Sequence, residues 1–96
     1  MENTRVQKAP SPEMIKVPTI QSVTTAPGHT LLVCFSDGAR RSYSVLPLTE
    51  RDMFAPLKDE AFFRNVKIEE GGYALSWNSD IDISEYEIWQ HGQPMP

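Results

Sequence analysis

Hydrophobic and polar residues alternate along two segments of the chain, and each segment predicts a β-hairpin. The first, "TLLVCFSDGARRSYSVL", follows the strand-like run "TIQSVTTA" and turns at Asp37-Gly38. A two-residue loop would mix apolar and polar side chains on both faces, whereas a three-residue loop over 36–38 sets Val33 opposite Arg41. We therefore favour the three-residue loop, with Gly38 in a left-handed conformation. The apolar face then consists of Leu31, Val33, Phe35, Tyr43 and Val45.

The second hairpin is predicted over "NVKIEEGGYALSW", with Gly71-Gly72 as a two-residue loop. This register sets Ile68 opposite Leu75 and directs Lys67 towards solvent, as expected of an antiparallel sheet with one solvent-facing side. The residues expected on the buried face are Val66, Ile68, Tyr73, Leu75 and Trp77.

Between the hairpins, the segment "LTERDMFAPLKDEAFFRN" has helical character. Thr49 is a candidate N-cap, and Pro56 limits any continuous helix. We expect two short helical pieces, the second beginning at Asp59. The apolar positions expected to face inward are Met53, Phe54, Leu57 and either Phe62 or Phe63.

The last notable segment is "SWNSDIDISEYEIW", residues 76–89, which holds four carboxylates and no lysine or arginine. Asp80 and Asp82 alternate with isoleucines, which predicts a strand whose carboxylates face outward. Ser84 follows at a helix N-cap position, and Glu87 three residues later completes a capping box. Gly92 is expected to end this helix. Helix capping therefore explains most of the acidic segment.

Three chemical sites would also use acidic residues in this pattern. A calcium loop is disfavoured because Ile83 replaces the glycine of the sharp turn and Trp89 replaces the bidentate glutamate. Asp80 and Asp82 would lie roughly 6.5–7 Å apart on one strand face, but nothing around them would desolvate one carboxyl for acid/base chemistry. A transition-metal site usually needs histidine or cysteine, and the chain has these only at His29, Cys34 and His91, far apart in sequence.

These elements predict a single small α+β domain. Two antiparallel hairpins and an N-terminal strand give about five strands, with short helices packed on one face and a short C-terminal helix. We expect the domain to span residues 19–92, preceded by a flexible, proline-containing tail over 1–18 and followed by a tail over 93–96.

Charge and composition narrow the function. The chain has 96 residues and a net charge of −4, and residues 19–96 hold eleven carboxylates against six cations. Because nucleic-acid binding depends on lysine and arginine neutralising phosphates, direct binding to DNA is disfavoured. No apolar run reaches the roughly 18–20 residues that span a bilayer, and no secretory signal is evident. The single Cys34 indicates a reducing cytoplasm.

No phosphate-binding loop, catalytic triad or paired cysteine motif occurs, so we expect no catalysis, cofactor or metal. Tyr86 and Trp89 remain after the core aromatics are assigned, beside a strand edge that could contact a second chain. The residues expected to contact a protein partner are Arg40, Arg41, Asp80, Asp82, Glu85, Tyr86 and Trp89.

Taken together, "LLVCFSDGARRSYSV", "MFAPLKDEAFFRNVKIEEGGYALSW" and "DIDISEYEIW" resemble the bacterial domain of unknown function 2442 family over about Thr19 to His91. The resemblance implies a small α+β domain without an established catalytic activity. Some members of the family carry a helix-turn-helix DNA-binding domain after this module, and others are stand-alone proteins encoded beside a second small protein. The matching residues are Leu31, Val33, Phe35, Asp37, Gly38, Phe54, Leu57, Asp59, Phe62, Trp77, Asp82, Ile83 and Ile88.

The leading hypothesis from the sequence is a non-catalytic protein-interaction module that binds a partner protein, in a toxin–antitoxin-like pair, or a second copy of itself. The alternative is an accessory module of a transcriptional regulator that acts at DNA through a partner or through anion contacts at Arg40-Arg41. A third hypothesis is a small metal-assisted hydrolase that uses Asp80, Asp82 and His29.

Overall fold

Seven strands and several short helices make up the computed structural model, which describes residues 17–95. The predicted α+β class is confirmed, although the strands number seven rather than about five and divide between two antiparallel sheets. Most of the predicted tail over 1–18 lies outside the described residues. The strands are β1 (Ile20–Ala26), β2 (Thr30–Phe35), β3 (Arg40–Ser44), β4 (Lys67–Ile68), β5 (Ala74–Ser76), β6 (Asp82–Ser84) and β7 (Gln93–Pro94).

The larger sheet has the strand order β1-β2-β3-β7 and contains the first predicted hairpin. Its register pairs Val33 with Arg41, and the backbone N–H of Phe35 donates to the carbonyl of Ala39 at 2.8 Å. The loop is therefore the predicted three-residue loop, and Gly38 has a φ of 92°, which L side chains rarely adopt. All five residues of the predicted apolar face are buried.

The C-terminal segment extends this sheet. Gln93 pairs with Ser42 and Pro94 with Arg41, and the Met95 N–H donates to the carbonyl of Arg40 at 3.0 Å. The prediction of a tail over 93–96 was therefore wrong for Gln93 and Pro94. The physical reason is that β7 is stabilised by a strand some fifty residues earlier, a contact that the local sequence does not encode.

The smaller sheet has the strand order β4-β5-β6 and contains the second hairpin. Ile68 pairs with Leu75 as predicted, but the loop is longer: Glu69 N–H donates to Ala74 O at 2.8 Å, and Gly72 N–H donates to Glu69 O at 2.9 Å in a turn where Gly71 and Gly72 both have positive φ. Ile68 and Tyr73, which we expected to be buried, are 37% and 61% exposed. This part of the prediction was wrong because the loop packs on β1 through the backbone of Gly72, which leaves both side chains outside the contact.

The helical segment between the sheets has three pieces instead of two: 3₁₀ helices Leu46–Glu50 and Asp52–Lys58, and α1 (Glu60–Phe63). Thr49 is not an N-cap; it is buried inside the first helix, and its hydroxyl donates to Leu46 O at 2.6 Å. Asp59 caps α1 as predicted, since its Oδ1 accepts the Ala61 N–H at 3.0 Å. Met53 is exposed because three residues per 3₁₀ turn align Phe54 with Leu57 and leave Met53 off that side.

One hydrophobic core joins both sheets and the helices. Phe63, from α1, is fully buried, and its ring centroid lies 6.4 Å from that of Trp77. The indole N–H of Trp77 donates to the Phe63 carbonyl at 2.8 Å, so the polar atom of this buried side chain has a partner. The C-terminal helix, α2 (Glu85–His91), contributes the fully buried Ile88.

Candidate functional site

The acidic segment begins α2, as predicted. Ser84 is the N-cap, and its hydroxyl accepts the Glu87 N–H at 3.1 Å. The reciprocal half of the predicted capping box is absent, because the Glu87 carboxylate accepts a hydrogen bond from the Tyr43 hydroxyl at 2.9 Å. Gly92 ends the helix, with φ −72° and ψ 157°, so the chain leaves α2 in an extended conformation.

Asp80 and Asp82 do not converge. Asp82 belongs to β6, but Asp80 precedes the strand and lies in a turn in which the Asn78 side-chain carbonyl accepts the N–H groups of Asp80 and Ile81 at 2.8 and 2.9 Å. Both aspartates are exposed. Among residues 17–95, no three histidine, cysteine or acidic side chains are close enough together to hold a metal ion.

Arg41 and Trp89 contact each other rather than forming a free surface. The Arg41 guanidinium carbon lies 4.2 Å from the centroid of the Trp89 ring, and Arg41 Nε donates to Trp89 O at 3.5 Å. Trp89 also packs edge-on against Phe35, with ring centroids 5.1 Å apart. Arg40 projects from the opposite face of β3, because adjacent strand residues alternate in direction. The expected partner-contact residues therefore do not lie on one surface.

A groove runs between the 3₁₀ segment, residues 46–58, and the chain that forms β6 and α2; we call it the α2 groove. It consists of two adjoining hollows of about 240 and 360 Å³, which share Leu48 and Glu87. One side of the smaller hollow is lined by Leu48, Arg51 and Phe54, and the other by Asp82, Ser84 and Glu87. The larger hollow continues past His91 to Gln93 at the sheet edge.

Glu87 lies where the two hollows meet, and its carboxylate accepts the hydrogen bond from the Tyr43 hydroxyl. Tyr43 is only 7% exposed, and its burial, together with the neighbouring Glu87 carboxylate, raises the pKa of the phenol well above its usual range, against a smaller opposing effect from Arg51. His91 Nε2 lies 3.9 Å from the second carboxylate oxygen of Glu87. The sequence pattern around Glu87 predicts only helix capping and gives no sign of its position in the groove.

The part of the chain that supplies β5, β6 and α2 is acidic in sequence, although Arg41 from β3 lies over Trp89 of α2. Residues 68–95 contain six carboxylates and no lysine or arginine. Within the smaller hollow, Asp82 and Glu87 face a single cation, Arg51. Of the expected contact residues, Asp82 lines the groove, and Glu85 and Tyr86 lie on the first turn of α2, with Tyr86 48% exposed.

A separate cleft of about 430 Å³ lies beside the β1–β2 turn and is lined in part by His29, Glu60 and Arg64. His29 Nε2 is 2.9 Å from the carbonyl of Lys58 and is therefore engaged as a donor. Glu60 and Arg64 form an ion pair at 2.9 Å, so their charges offset each other. This cleft offers no unpaired charge comparable to that of the α2 groove.

The geometry defines a small α+β domain with two antiparallel sheets and an acidic groove beside its C-terminal helix. The chain belongs to the family described as protein of unknown function (DUF2442), whose model matches residues 20–94 and therefore includes the whole groove. No curated protein and no solved structure matches the chain. No helix among residues 17–95 combines the length and apolar character needed to cross a membrane.

Proposed function

We propose that this protein is a non-catalytic interaction module that binds a basic segment of a partner protein in the α2 groove. The observation that carries this proposal is the charge of the smaller hollow, where two carboxylates, Asp82 and Glu87, are accompanied by one arginine, Arg51. Complementary charge accelerates encounter and selects among partners.

The groove also offers apolar contact. Leu48 and Phe54 line it and are only partly buried, so a bound segment can cover their exposed surface. Exposed ion pairs contribute only about 0.2–1 kcal/mol each, so charge alone would not hold a partner, and apolar burial must supply part of the affinity. We expect micromolar binding, corresponding to about −8 kcal/mol.

The bacterial cytoplasm and a two-protein, toxin–antitoxin-like pair are the setting we propose for this module. The single Cys34 and the family resemblance motivate that setting. A second copy of the chain is the competing occupant, and it would show as concentration-dependent dimerisation in analytical ultracentrifugation.

The test uses a defined probe, a capped, fluorescein-labelled eight-residue peptide of alternating lysine and valine, and a matched peptide of alternating glutamate and valine. We expect the full chain to bind the lysine peptide and not the glutamate peptide, as measured by fluorescence anisotropy. Asp82→Lys should weaken binding about five- to tenfold by reversing one groove charge. Glu70→Lys makes the same net-charge change on an exposed loop outside the groove, and should weaken binding much less.

Two results would overturn the proposal. One is equal binding of the two peptides, or no binding of either at hundreds of micromolar. The other is equal loss of binding in Asp82→Lys and Glu70→Lys, which would show that overall charge, and not the α2 groove, attracts the probe.

A further inference from the structure

We infer that the partner segment binds as an extended strand added to the free edge of β6, with cationic and apolar side chains alternating along it. This inference rests on the proposed function and specifies the conformation and the pattern of the ligand. Its basis is the direction of the backbone hydrogen bonds in the smaller sheet.

The pairing of β5 with β6 determines which backbone groups point outward. Beyond one end of the ladder, Trp77 N–H donates to Ile81 O at 3.0 Å, and beyond the other, Glu85 N–H donates to Tyr73 O at 3.0 Å. Hydrogen-bonded and non-hydrogen-bonded pairs alternate in an antiparallel ladder, so Ile83 is bonded to β5. Asp82 and Ser84 are then the non-bonded positions, whose backbone groups point away from β5.

These outward groups have no other backbone partner in the described chain. Outside the sheet ladder and α2, none of the backbone hydrogen bonds among residues 17–95 involves Asp82 or Ser84. A capping-box glutamate would normally accept the N–H of its N-cap, but the Glu87 carboxylate is bonded to Tyr43 instead. The edge therefore presents the N–H and C=O of Asp82 and the N–H of Ser84.

The three residues of this edge line the smaller hollow of the α2 groove. Asp82, Ile83 and Ser84 all line the smaller hollow, opposite Leu48, Arg51 and Phe54. A segment pairing with β6 would thus occupy the same volume that the charge argument identifies. Strand addition of this kind obtains affinity from main-chain hydrogen bonds and specificity from alternate side chains.

The same geometry specifies the side-chain pattern of the ligand. Residues directly opposite each other on paired strands point to the same face of the sheet. Ligand positions next to Asp82 and Ser84 would share their exposed face, where a cation meets the Asp82 carboxylate. The position next to Ile83 would point towards the core side, where Leu48 and Phe54 are partly exposed and an apolar side chain fits.

The test places backbone N-methyl groups on the lysine–valine peptide, which requires no change in the protein. N–H groups two residues apart point to the same edge of a strand, so one analogue is methylated at peptide positions 3 and 5, and the other at positions 4 and 6. Because only one edge pairs with β6, we expect one analogue to bind about tenfold or more weakly and the other to keep the affinity of the parent within about twofold.

Hydrogen exchange followed by NMR provides the second measurement. The amides of Asp82 and Ser84 should exchange more slowly when the parent peptide is bound, and the exposed amide of Ser79 should not change. Equal affinities for the two methylated analogues, or no protection at Asp82 and Ser84, would overturn strand addition. If the parent peptide binds with the charge dependence described above and these results still fail, the proposed function stands and only the strand geometry is wrong.

Discussion

The contact between the two sheets can be tested at Gly72, where the loop of the second hairpin packs on β1. A Cβ built at Gly72 would lie 2.6 Å from the carbonyl oxygen of Ile20 and 3.0 Å from its backbone nitrogen. Real Cβ atoms do not approach a backbone oxygen this closely, so Gly72→Ala forces the loop and β1 apart. The substitution therefore perturbs the junction between the sheets without removing any side-chain contact.

The magnitude follows from two costs. Gly72 has a φ of 77°, and an L residue there costs roughly 1–2 kcal/mol. Forcing additional volume into a packed contact costs roughly 1–3 kcal/mol more. Their sum is roughly 2–5 kcal/mol. This is a large part of the free energy of unfolding, roughly 5–10 kcal/mol, that is expected for a domain of this size.

Gly71→Ala is the matched control. Gly71 has nearly the same φ, 84°, but the three atoms nearest to its Cβ would all belong to the ring of Tyr73, the closest at 2.5 Å. That ring is 61% exposed and can rotate away, so only the backbone cost of roughly 1–2 kcal/mol remains. Urea unfolding followed by the fluorescence of Trp77 and Trp89 gives both free energies of unfolding. If the two variants lose equal stability within about 0.5 kcal/mol, the packing of Gly72 on β1 does not stabilise the fold, and the reasoning is wrong.

Two further predictions concern the candidate site. Burial and Glu87 raise the pKa of Tyr43 above its unfolded value of about 10. The neutral phenol therefore stabilises the folded protein fully below pH 10. Above pH 10 this contribution to the free energy of unfolding is lost, at up to about 1.4 kcal/mol per pH unit. Tyr43→Phe should therefore show a flatter loss of stability in urea unfolding between pH 10 and 11.5, and a slope as steep as that of the wild type would contradict this. Ser84→Ala removes the acceptor of the Glu87 N–H and should lower the free energy of unfolding by about 1 kcal/mol. Ser79→Ala, in an exposed loop, should leave the urea midpoint unchanged. Equal midpoints for the two variants would show that the cap does not stabilise the fold.

The features that the sequence predicted correctly are those set by near neighbours in the chain. The three-residue loop of the first hairpin follows from alternation within about fifteen residues and from one glycine, and the Ser84 cap from the residues that follow it. In both cases the side chains that enforce the structure are adjacent in sequence, so a local pattern contains the necessary information.

The features that it missed depend on residues far apart in the chain. The alternation around Tyr73 predicted burial, but the packing of Gly72 on Ile20 decided which side chains were covered. Similarly, Trp89 looked available for a partner until the cation of Arg41 was found over its ring. Glu87 was assigned to a local cap, while its actual partner, Tyr43, lies on a different strand.

The last strand of the larger sheet has a consequence for the size of any complex. β7 consists of Gln93 and Pro94, and proline has no backbone N–H to offer another strand. A strand that docks at β6 would therefore find no equivalent open edge at β7 from which a further copy could grow. Growth of an open-ended fibre by pairing β6 of one copy with β7 of the next is therefore disfavoured.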